Sequence, residues 1–408
     1  MRKQVGLLAA AAVSAGMFVG MAGGPTPAGA SYPPIPAGPI VVGATTPLSG
    51  PTAAYGQSTE ESFNGVSLKQ FDAEYPNGID GHQVKLVFLD DQGTVTGAVQ
   101  ATDQLVSDHV AAVVTLSYNP EATVQQAEIL NHAHIPIISD LGYNEFVNTK
   151  TYPYFWGVGA NDYQEGVAMA KWLKASNIKT LGVMDDGIEG SVQILDDLKL
   201  VLHKYSPNTK IVTTQQISPA ATEVSAQVTA LKQSGAQAYY IDTAEAYGPI
   251  WQAMITAGMT TTPFLTSAGA WYDSFSAMGP LEQNAYAAFY TCAPNTDVVY
   301  PAGVQDLMAQ YSAATYAYST NYRIYLTADT IPFQFLRYAI MKEHSDSPAA
   351  IKAAMDSMTN QSFETVKYTF TPTNHFGIKG TDAAAVCKMA PPYAGGVGKV
   401  PIISTKAG

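Results

Sequence analysis

The sequence predicts an α/β protein of two lobes, each a parallel sheet flanked by helices. Three observations carry that prediction. Short β-branched apolar runs without polar alternation read as buried strands, and they are interleaved with amphipathic stretches at helical spacing. This alternation runs to Tyr152 and begins again after Val158. At 408 residues the chain is also longer than one hydrophobic core usually serves, so two lobes are the default.

The first thirty positions are set apart from the fold. Met1-Arg2-Lys3 is followed by an apolar, small-residue run from Val5 to Met21 and by Ala28-Gly29-Ala30. A basic start, a short apolar run and an A-x-A site make a secretory signal peptide over 1–30, with cleavage before Ser31. The run is short and weakly apolar for a membrane span. Lipid anchoring at the cleavage site needs a cysteine there, and the first cysteine is Cys292. The expected product is exported to the periplasm or cell envelope, soluble and not a lipoprotein.

Ser31–Pro39 is a Pro-rich arm, and Ile40–Thr45 is the first buried strand. Pro47–Pro51 is dense in turn residues, with Tyr55 just before a helix through Thr59–Phe71. Val84–Leu89 is a strand that ends in Asp90-Asp91-Gln92-Gly93, and Ala98, Ala101, Leu105 and Val106 mark the next helix. Ala111–Leu116 is a third strand. It opens into Ser117, Tyr118 and Asn119, where Asn119 is placed to cap a helix that begins at Pro120. Ile135–Ser139 follows and ends in Asp140-Leu141-Gly142-Tyr143. In a βαβ unit both loops leave the carboxyl edge of the sheet, where ligands of open α/β folds bind. Half of a small-molecule site is therefore expected in Ser117–Asn119 and Ser139–Tyr143.

Tyr154–Val158 reads as a crossing segment. Helices over Asn161–Ala175, Ser191–Tyr205, Thr222–Ser234 and Tyr247–Gly258 then alternate with strands at Thr180–Met184, Ile211–Gln216, Ala238–Asp242 and Phe264–Thr266. Thr243–Glu245 and Ser267–Tyr272 are the matching carboxyl-edge loops. Ala287–Cys292 reads as a return strand, and helices at Val304–Ala317 and Leu326–Lys342 would complete the first lobe. Val366–Phe370 and the Gly-rich tail read as an appended strand pair.

Composition narrows the partners. Lys+Arg is 21 against Asp+Glu 33, a formal charge of −12 without a basic cluster, which disfavours nucleic acid. Asp90-Asp91 and Asp185-Asp186 are paired carboxylates, but each pair stands where a strand ends and a turn needs caps. His132 and His134 lack a third metal ligand at suitable spacing. The nucleophile elbow and the P-loop are missing, so neither catalysis nor a cofactor or metal is expected. Cys292 and Cys387 are either bridged or free, since nothing in the sequence fixes their distance. Tyr55, Tyr118, Tyr143, Trp271 and Tyr272 all fall in carboxyl-edge loops, split between the lobes. Aromatic walls with a few hydroxyls and amides suit a small organic ligand.

PLSGPTAAYG, FLDDQGTVTGAVQATDQLVSD and the strand-loop-helix that ends in ISD, in that order, resemble the leucine/isoleucine/valine-binding class of periplasmic-type I solute-binding proteins. The resemblance runs from about Ile40 to Phe376. It implies two Rossmann-like lobes joined by a three-segment hinge, with the ligand in the interlobe cleft. The lobes would take 31–156 with 288–365, and 157–287 with 366–408. It implies binding without catalysis, by a monomer that closes on its ligand and delivers it to an ABC permease in the membrane. Rival readings are the ligand-sensing protein of a membrane receptor and an exported hydrolase.

Carried over by position, the resemblance puts ligand contacts on Tyr55, Ser117, Tyr118, Asn119, Ser139, Asp140, Leu141, Tyr143, Thr243 and Glu245. The second-lobe stacking aromatic falls on Ile188 or Glu189. The acid that holds an α-ammonium group in the amino-acid binders falls on Ala268 or Gly269, which carry no carboxylate. Glu189, Glu245 or Asp140 would have to compensate, because an unpaired buried ammonium costs several kcal/mol. The expected ligand is a small polar or aromatic organic molecule: amino-acid-like, a carboxylate, an amide or a urea derivative. Tyr55, Trp271 and Tyr272 would wall it.

Overall fold

The computed structural model describes residues 31–50, 53–117, 119–219, 221–243, 246–266, 278–289, 323–363, 366–378, 384–388 and 402–403. In the first lobe, β1 (Ile40–Thr46), β2 (Val84–Asp90), β3 (Ala112–Val113), β4 (Ile137–Ser139) and β5 (Phe155–Gly157) form one parallel sheet. Its order is β2-β1-β3-β4-β5. The ladder between β1 and the β3 segment extends past the short strand, with Ala111 N donating to Val41 O and Thr45 N to Thr115 O. The segment predicted as a crossing thus contributes the edge strand β5 before it leaves the lobe.

Local chemistry sets the helix starts. In α4 (Pro120–His132) the Asn119 side chain accepts from Ala122 N at 3.3 Å, and Pro120 fills the first turn, where its missing N–H costs nothing. In α3 (Val95–Ser107) Thr94 accepts from Gly97 N at 3.0 Å. Between β1 and β2 run α1 (Ala53–Glu60), a π-helical stretch Glu61–Ser67 and α2 (Leu68–Glu74). One face of this sheet is closed by Leu105, Leu116, Leu130, Ile137, Phe146 and Phe155 under α3 and α4. On the other face α9 (Arg323–Glu343) sets Phe333 against Phe63 and Phe71, with ring centroids 6.1 and 5.8 Å away.

The second sheet has the order β14-β13-β10-β9-β8-β6-β7. Its parallel part is β6 (Thr180–Asp185), β7 (Lys210–Gln216), β8 (Ala238–Asp242), β9 (Phe264–Thr266) and β10 (Ala285–Phe289). The helices between them are α5 (Asp162–Ala175), α6 (Glu189–Tyr205), α7 (Ser225–Gln233) and α8 (Tyr247–Thr256). A capping box between Asn161 and Gln164 starts α5. The predicted return strand is β10, and it lies inside this sheet. The tail strand β13 (Ala385–Lys388) pairs antiparallel with it, and β14 (Ile402–Ile403) pairs with β13. Among the described residues Val366–Tyr368 (β12) does not pair with the tail. It forms a two-stranded sheet with Gln361–Phe363 (β11), because Phe363 and Tyr368 pack on Phe335 of α9 at 4.9 and 4.8 Å.

Two chain passages between the sheets fall among the described residues, 157–162 in full and the second over 376–378. They touch at Gly157, whose N–H donates to His375 O at 3.0 Å and which bridges Phe376. A Cβ on Gly157 would lie 2.3 Å from the Phe376 ring, so only glycine admits this crossing. Beside it, His375 is buried against Trp156, with Nδ1 2.9 Å from Phe155 O and Nε2 2.9 Å from Asp356 Oδ1 of α10 (Pro348–Asp356). The helix expected at Val304–Ala317 lies outside the described residues.

Candidate functional site

Strand order locates the two crevices where a ligand of an open α/β sheet belongs. In the first sheet the chain passes from β2 over β1 to β3, so the order reverses between β1 and β3. In the second it passes from β7 over β6 to β8, so the order reverses between β6 and β8. The loops that leave those strands are Pro47–Gly50 and Ser117–Asn119 in one lobe, Asp185–Ile188 and Asp242–Thr243 in the other.

The first crevice is held by a network of buried polar groups. Thr45, Thr46, Thr115 and Ser117 are fully buried at the strand ends. Gln126 of α4 ties its two sides together: its Oε1 accepts from Ser117 N at 2.9 Å and its Nε2 donates to Thr45 Oγ1 at 2.8 Å. The Thr123 hydroxyl donates to the carbonyls of Ser117 and Asn119. The Asn119 side-chain oxygen is thereby committed to capping α4. Asp90 gathers the first loop, accepting from Leu48 N (2.9 Å), Ser49 N (3.1 Å), Gln92 N (2.8 Å) and the Ser49 hydroxyl. Burial pushes Asp91 up to about 6, against the pull of the Gly93 N–H and the Ser117 hydroxyl.

At the end of β4 the buried Ser139 hydroxyl accepts from Leu141 N at 3.3 Å. Leu141 is buried with the apolar residues under α3 and α4, and Tyr143 is half-buried with its ring 5.9 Å from Phe146. Burial raises Asp140 to about 6.

In the second lobe Asp185 and Asp186 accept from Gly187 N (3.0 Å) and Ile188 N (3.1 Å), and Gly187 turns with φ +72°. Both acidic pairs of the sequence therefore hold turns. Thr243 is buried and its hydroxyl oxygen accepts from Ala246 N at 3.3 Å, in the turn just before α8. Next to it stands Asp242, which sequence reasoning passed over. Its carboxylate accepts from Tyr240 Oη at 3.0 Å and Tyr247 Oη at 3.1 Å, and Tyr247 Oη also accepts from the Thr266 hydroxyl at 3.2 Å. The signal was an acid closing the apolar strand Ala-Tyr-Tyr-Ile-Asp.

The loop after β4 continues into a turn, Asn144–Val147, that reaches the other lobe. Asn144 Nδ2 donates to Asp197 Oδ2 at 2.6 Å, and Gln193 Nε2 of α6 donates to Glu145 Oε1 at 2.7 Å. Asp162 N, at the start of α5, donates to Gly142 O at 3.0 Å. Of these residues only Gly142, within the loop Ser139–Tyr143, was singled out from the sequence.

Tyr118, Glu245, Trp271, Tyr272, Cys292 and the 1–30 segment lie outside the described residues. Of Tyr55, Glu189 and Cys387 only the backbone is described: Tyr55 in α1, Glu189 at the first position of α6 and Cys387 in β13. The structure thus brings Ser117, Asn119, Ser139, Asp140 and Tyr143 to one sheet edge and Thr243 to the other.

Comparison with known proteins agrees with this architecture. The Leu/Ile/Val-binding protein homolog 3 of Brucella melitensis is 26% identical over 222 residues, 54% of this chain and 59% of that protein. The chain spans about three fifths of the length of the curated relatives it matches. The periplasmic binding protein type 1 of Bordetella pertussis Tohama I superposes with a TM-score of 0.73 at 19% identity, over 90% of this chain and all of the other. A solute-binding protein of an ABC transporter from Rhodopseudomonas palustris BisB5, solved with 3,4-dihydroxybenzoic acid, gives 0.70 at 15% identity, over 86% and 92%. The family profile described as periplasmic binding protein matches residues 39–388. With two switch-point crevices on two parallel sheets and that profile over most of its length, the chain belongs to the periplasmic binding protein family.

Proposed function

We propose that this protein is the exported solute-binding receptor of an ABC importer, and that it captures a small polar or aromatic organic molecule by closing its two lobes. The observation that carries the reading is the pairing of two switch-point crevices, each lined by buried hydroxyls and loop N–H groups at the carboxyl edge of a parallel sheet. In it, Tyr55 and Trp271 wall the ligand. Ser117, Asn119 and the Glu121 N–H in the first turn of α4 bind its polar groups, and Thr243 with Glu245 closes from the second lobe. Tyr118, Ser139, Asp140, Leu141, Tyr143, Glu189 and Tyr272 border the site.

The same reading takes 1–30 as a cleaved signal, 31–156 with 288–365 as one lobe and 157–287 with 366–408 as the other. The protein works as a monomer and docks on a membrane permease when closed. Among the described residues no helix is long and apolar enough to cross a membrane. The relatives bring two ligand classes to test, branched amino acids and aromatic acids.

The test is thermal unfolding of protein stripped of carried ligand by unfolding and refolding, against branched amino acids, aromatic carboxylates and short amides. A ligand at a hundredfold over its Kd adds about 2.7 kcal/mol, a rise of several degrees at most for a chain of this size. Tyr55→Ala combined with Trp271→Ala should abolish the shift while the ligand-free melting temperature holds. A shift that survives both substitutions removes these residues from the site, and steady turnover of a panel compound would overturn the receptor reading.

A further inference from the structure

The two lobes meet beside the first chain crossing, and the groups that meet there are acceptors. Glu145 comes from the turn after β4, Asp162 and Glu165 from the first turn of α5, Gln193 and Asp197 from α6, and Asp242 from the end of β8. Three of their oxygens are buried without a hydrogen-bond partner: Glu145 Oε2, Asp162 Oδ2 and Gln193 Oε1. Asp162 is 7% exposed, so its bare oxygen is not solvated from outside. The remaining acceptors of the cluster are already arranged. Glu145 Oε1 takes the Gln193 amide, Asp197 takes Asn144, and Asp242 takes two tyrosine hydroxyls. Orphaned buried acceptors are costly, and the group that satisfies several at once carries several N–H donors and positive charge.

We infer that the hinge end of the cleft is an acidic socket for an organic cation, in which Glu145, Asp162 and Gln193 receive a primary ammonium or guanidinium group of the captured molecule. The inference rests on the receptor reading above and names the ligand class for it. It places the cation away from Ala268 and Gly269, where a carboxylate is missing. Glu145 and Glu165 keep part of their surface exposed, while Asp162, Asp197 and Asp242 are buried.

The electrostatics agree. Burial raises Asp162 well above the ordinary carboxylate range, and Glu165, Asp197, Glu145 and Asp242 all push it further. Burial, then Asp242, raises Glu165 to about 8. A cation would relieve this repulsion and draw protons out of the cluster as it binds. Among the described residues no three of the acids are arranged to hold a metal ion, which favours a multi-donor organic group.

The experiment is isothermal titration of the purified, ligand-stripped protein with matched compounds. Leucinamide and tyramine carry ammonium without carboxylate, leucine carries both, and N-acetyl-leucine and 4-hydroxybenzoate carry only the anion. Ammonium compounds should bind at least tenfold more tightly than the anions. At pH 7 their binding should release protons, seen as a heat that depends on buffer ionisation. Asp162→Asn should weaken the ammonium compounds at least tenfold, and its ligand-free melting temperature should hold or rise. Proton release is read on the unaltered chain and does not depend on that variant folding. Binding by the anions alone leaves the receptor reading in place and overturns the cation socket. So does ammonium binding that neither releases protons nor responds to Asp162→Asn, and so does stabilisation by calcium or potassium chloride alone. No binding by any compound overturns the receptor reading for these classes, and the socket with it.

Discussion

Asn144 and Asp197 are joined across the two lobes by a hydrogen bond of 2.6 Å, from the side-chain amide of a turn in the first lobe to a carboxylate on α6 of the second. The bond is half-buried and its acceptor is ionisable, which places it among the stronger hydrogen bonds. Gln193 and Glu145 repeat the arrangement one turn of α6 away, at 2.7 Å. On the proposed closing of the two lobes, an opening that separates this turn from α6 would break both.

Asn144→Ala is therefore expected to favour the open form. Loss of a bond to a charged group costs about 1.5–3 kcal/mol. Because apparent affinity scales with the fraction of closed-competent protein, ligand binding should weaken roughly tenfold or more. Small-angle scattering of the ligand-free variant should show a larger radius of gyration than the unaltered chain. An unchanged radius and affinity would mean that the contact does not report on closure.

Gln126 predicts a different failure. Its amide bridges Ser117 N and Thr45 Oγ1 in a fully buried place, so Gln126→Ala strands a donor in the loop after β3 and a hydroxyl on β1. The expected loss is about 2–4 kcal/mol of unfolding free energy, measured by urea denaturation. Ligand affinity should fall as well, since the same bonds hold the loop between β3 and α4. A variant as stable as the parent would show that water takes over both bonds.

The helix starts were legible because they are local. Asn119 and Pro120, or Asn161 and Gln164, lie within four residues of what they cap, and their spacing alone announces them. The parallel strands followed from apolar runs for the same reason, except β5, which read as a crossing segment. Partner choice was not legible. Val366–Tyr368 pairs with Gln361–Phe363 because of rings that α9 supplies, and the tail strand pairs with β10, about a hundred residues away. In the site, the carboxyl-edge loops were visible from strand ends. The groups that join the lobes were not. Asn144 meets Asp197 over 53 residues of sequence and Gln193 meets Glu145 over 48, so each looked like an ordinary surface polar residue. Asp162 and Glu165 resembled the acids that commonly favour a helix start. Only the fold sets Asp242 and Asp197 against them.

Asp356 gives a prediction on the acid side. Burial alone would raise it, but His375 and Lys352, which approach its two oxygens at 2.9 and 2.6 Å, hold it below the ordinary carboxylate range. A depressed folded value means stability that is present above the unfolded value of 3.8 and is lost as pH falls through the folded one. Asp356→Asn leaves two basic groups without their counter-ion beside the chain crossing. At neutral pH it should cost about 3–5 kcal/mol, the penalty for removing one partner of a buried ion pair. The gap between variant and parent should close as the pH is lowered below about 3.8. A gap that stays constant down to pH 2 would assign the loss to packing instead of charge.

Glu165 runs the other way. Its folded value is raised to about 8 from an ordinary 4.5, by burial first and then by Asp242. For an acid raised in this way the native state holds the extra proton, so stability is greatest below the unfolded value and declines as pH climbs toward the folded one. Between pH 5 and 8 the ligand-free protein should therefore lose stability, by at most about 1.4 kcal/mol per pH unit from this one group. Glu165→Gln keeps the shape and removes the titration. The variant should melt at a higher temperature than the parent at pH 8, match it near pH 5, and show a flatter profile between them. Differential scanning calorimetry across that range reads all three. If the profiles of parent and variant run parallel, the proton that leaves with rising pH belongs to another carboxylate of the cluster, and Asp162→Asn is the substitution that should then flatten it.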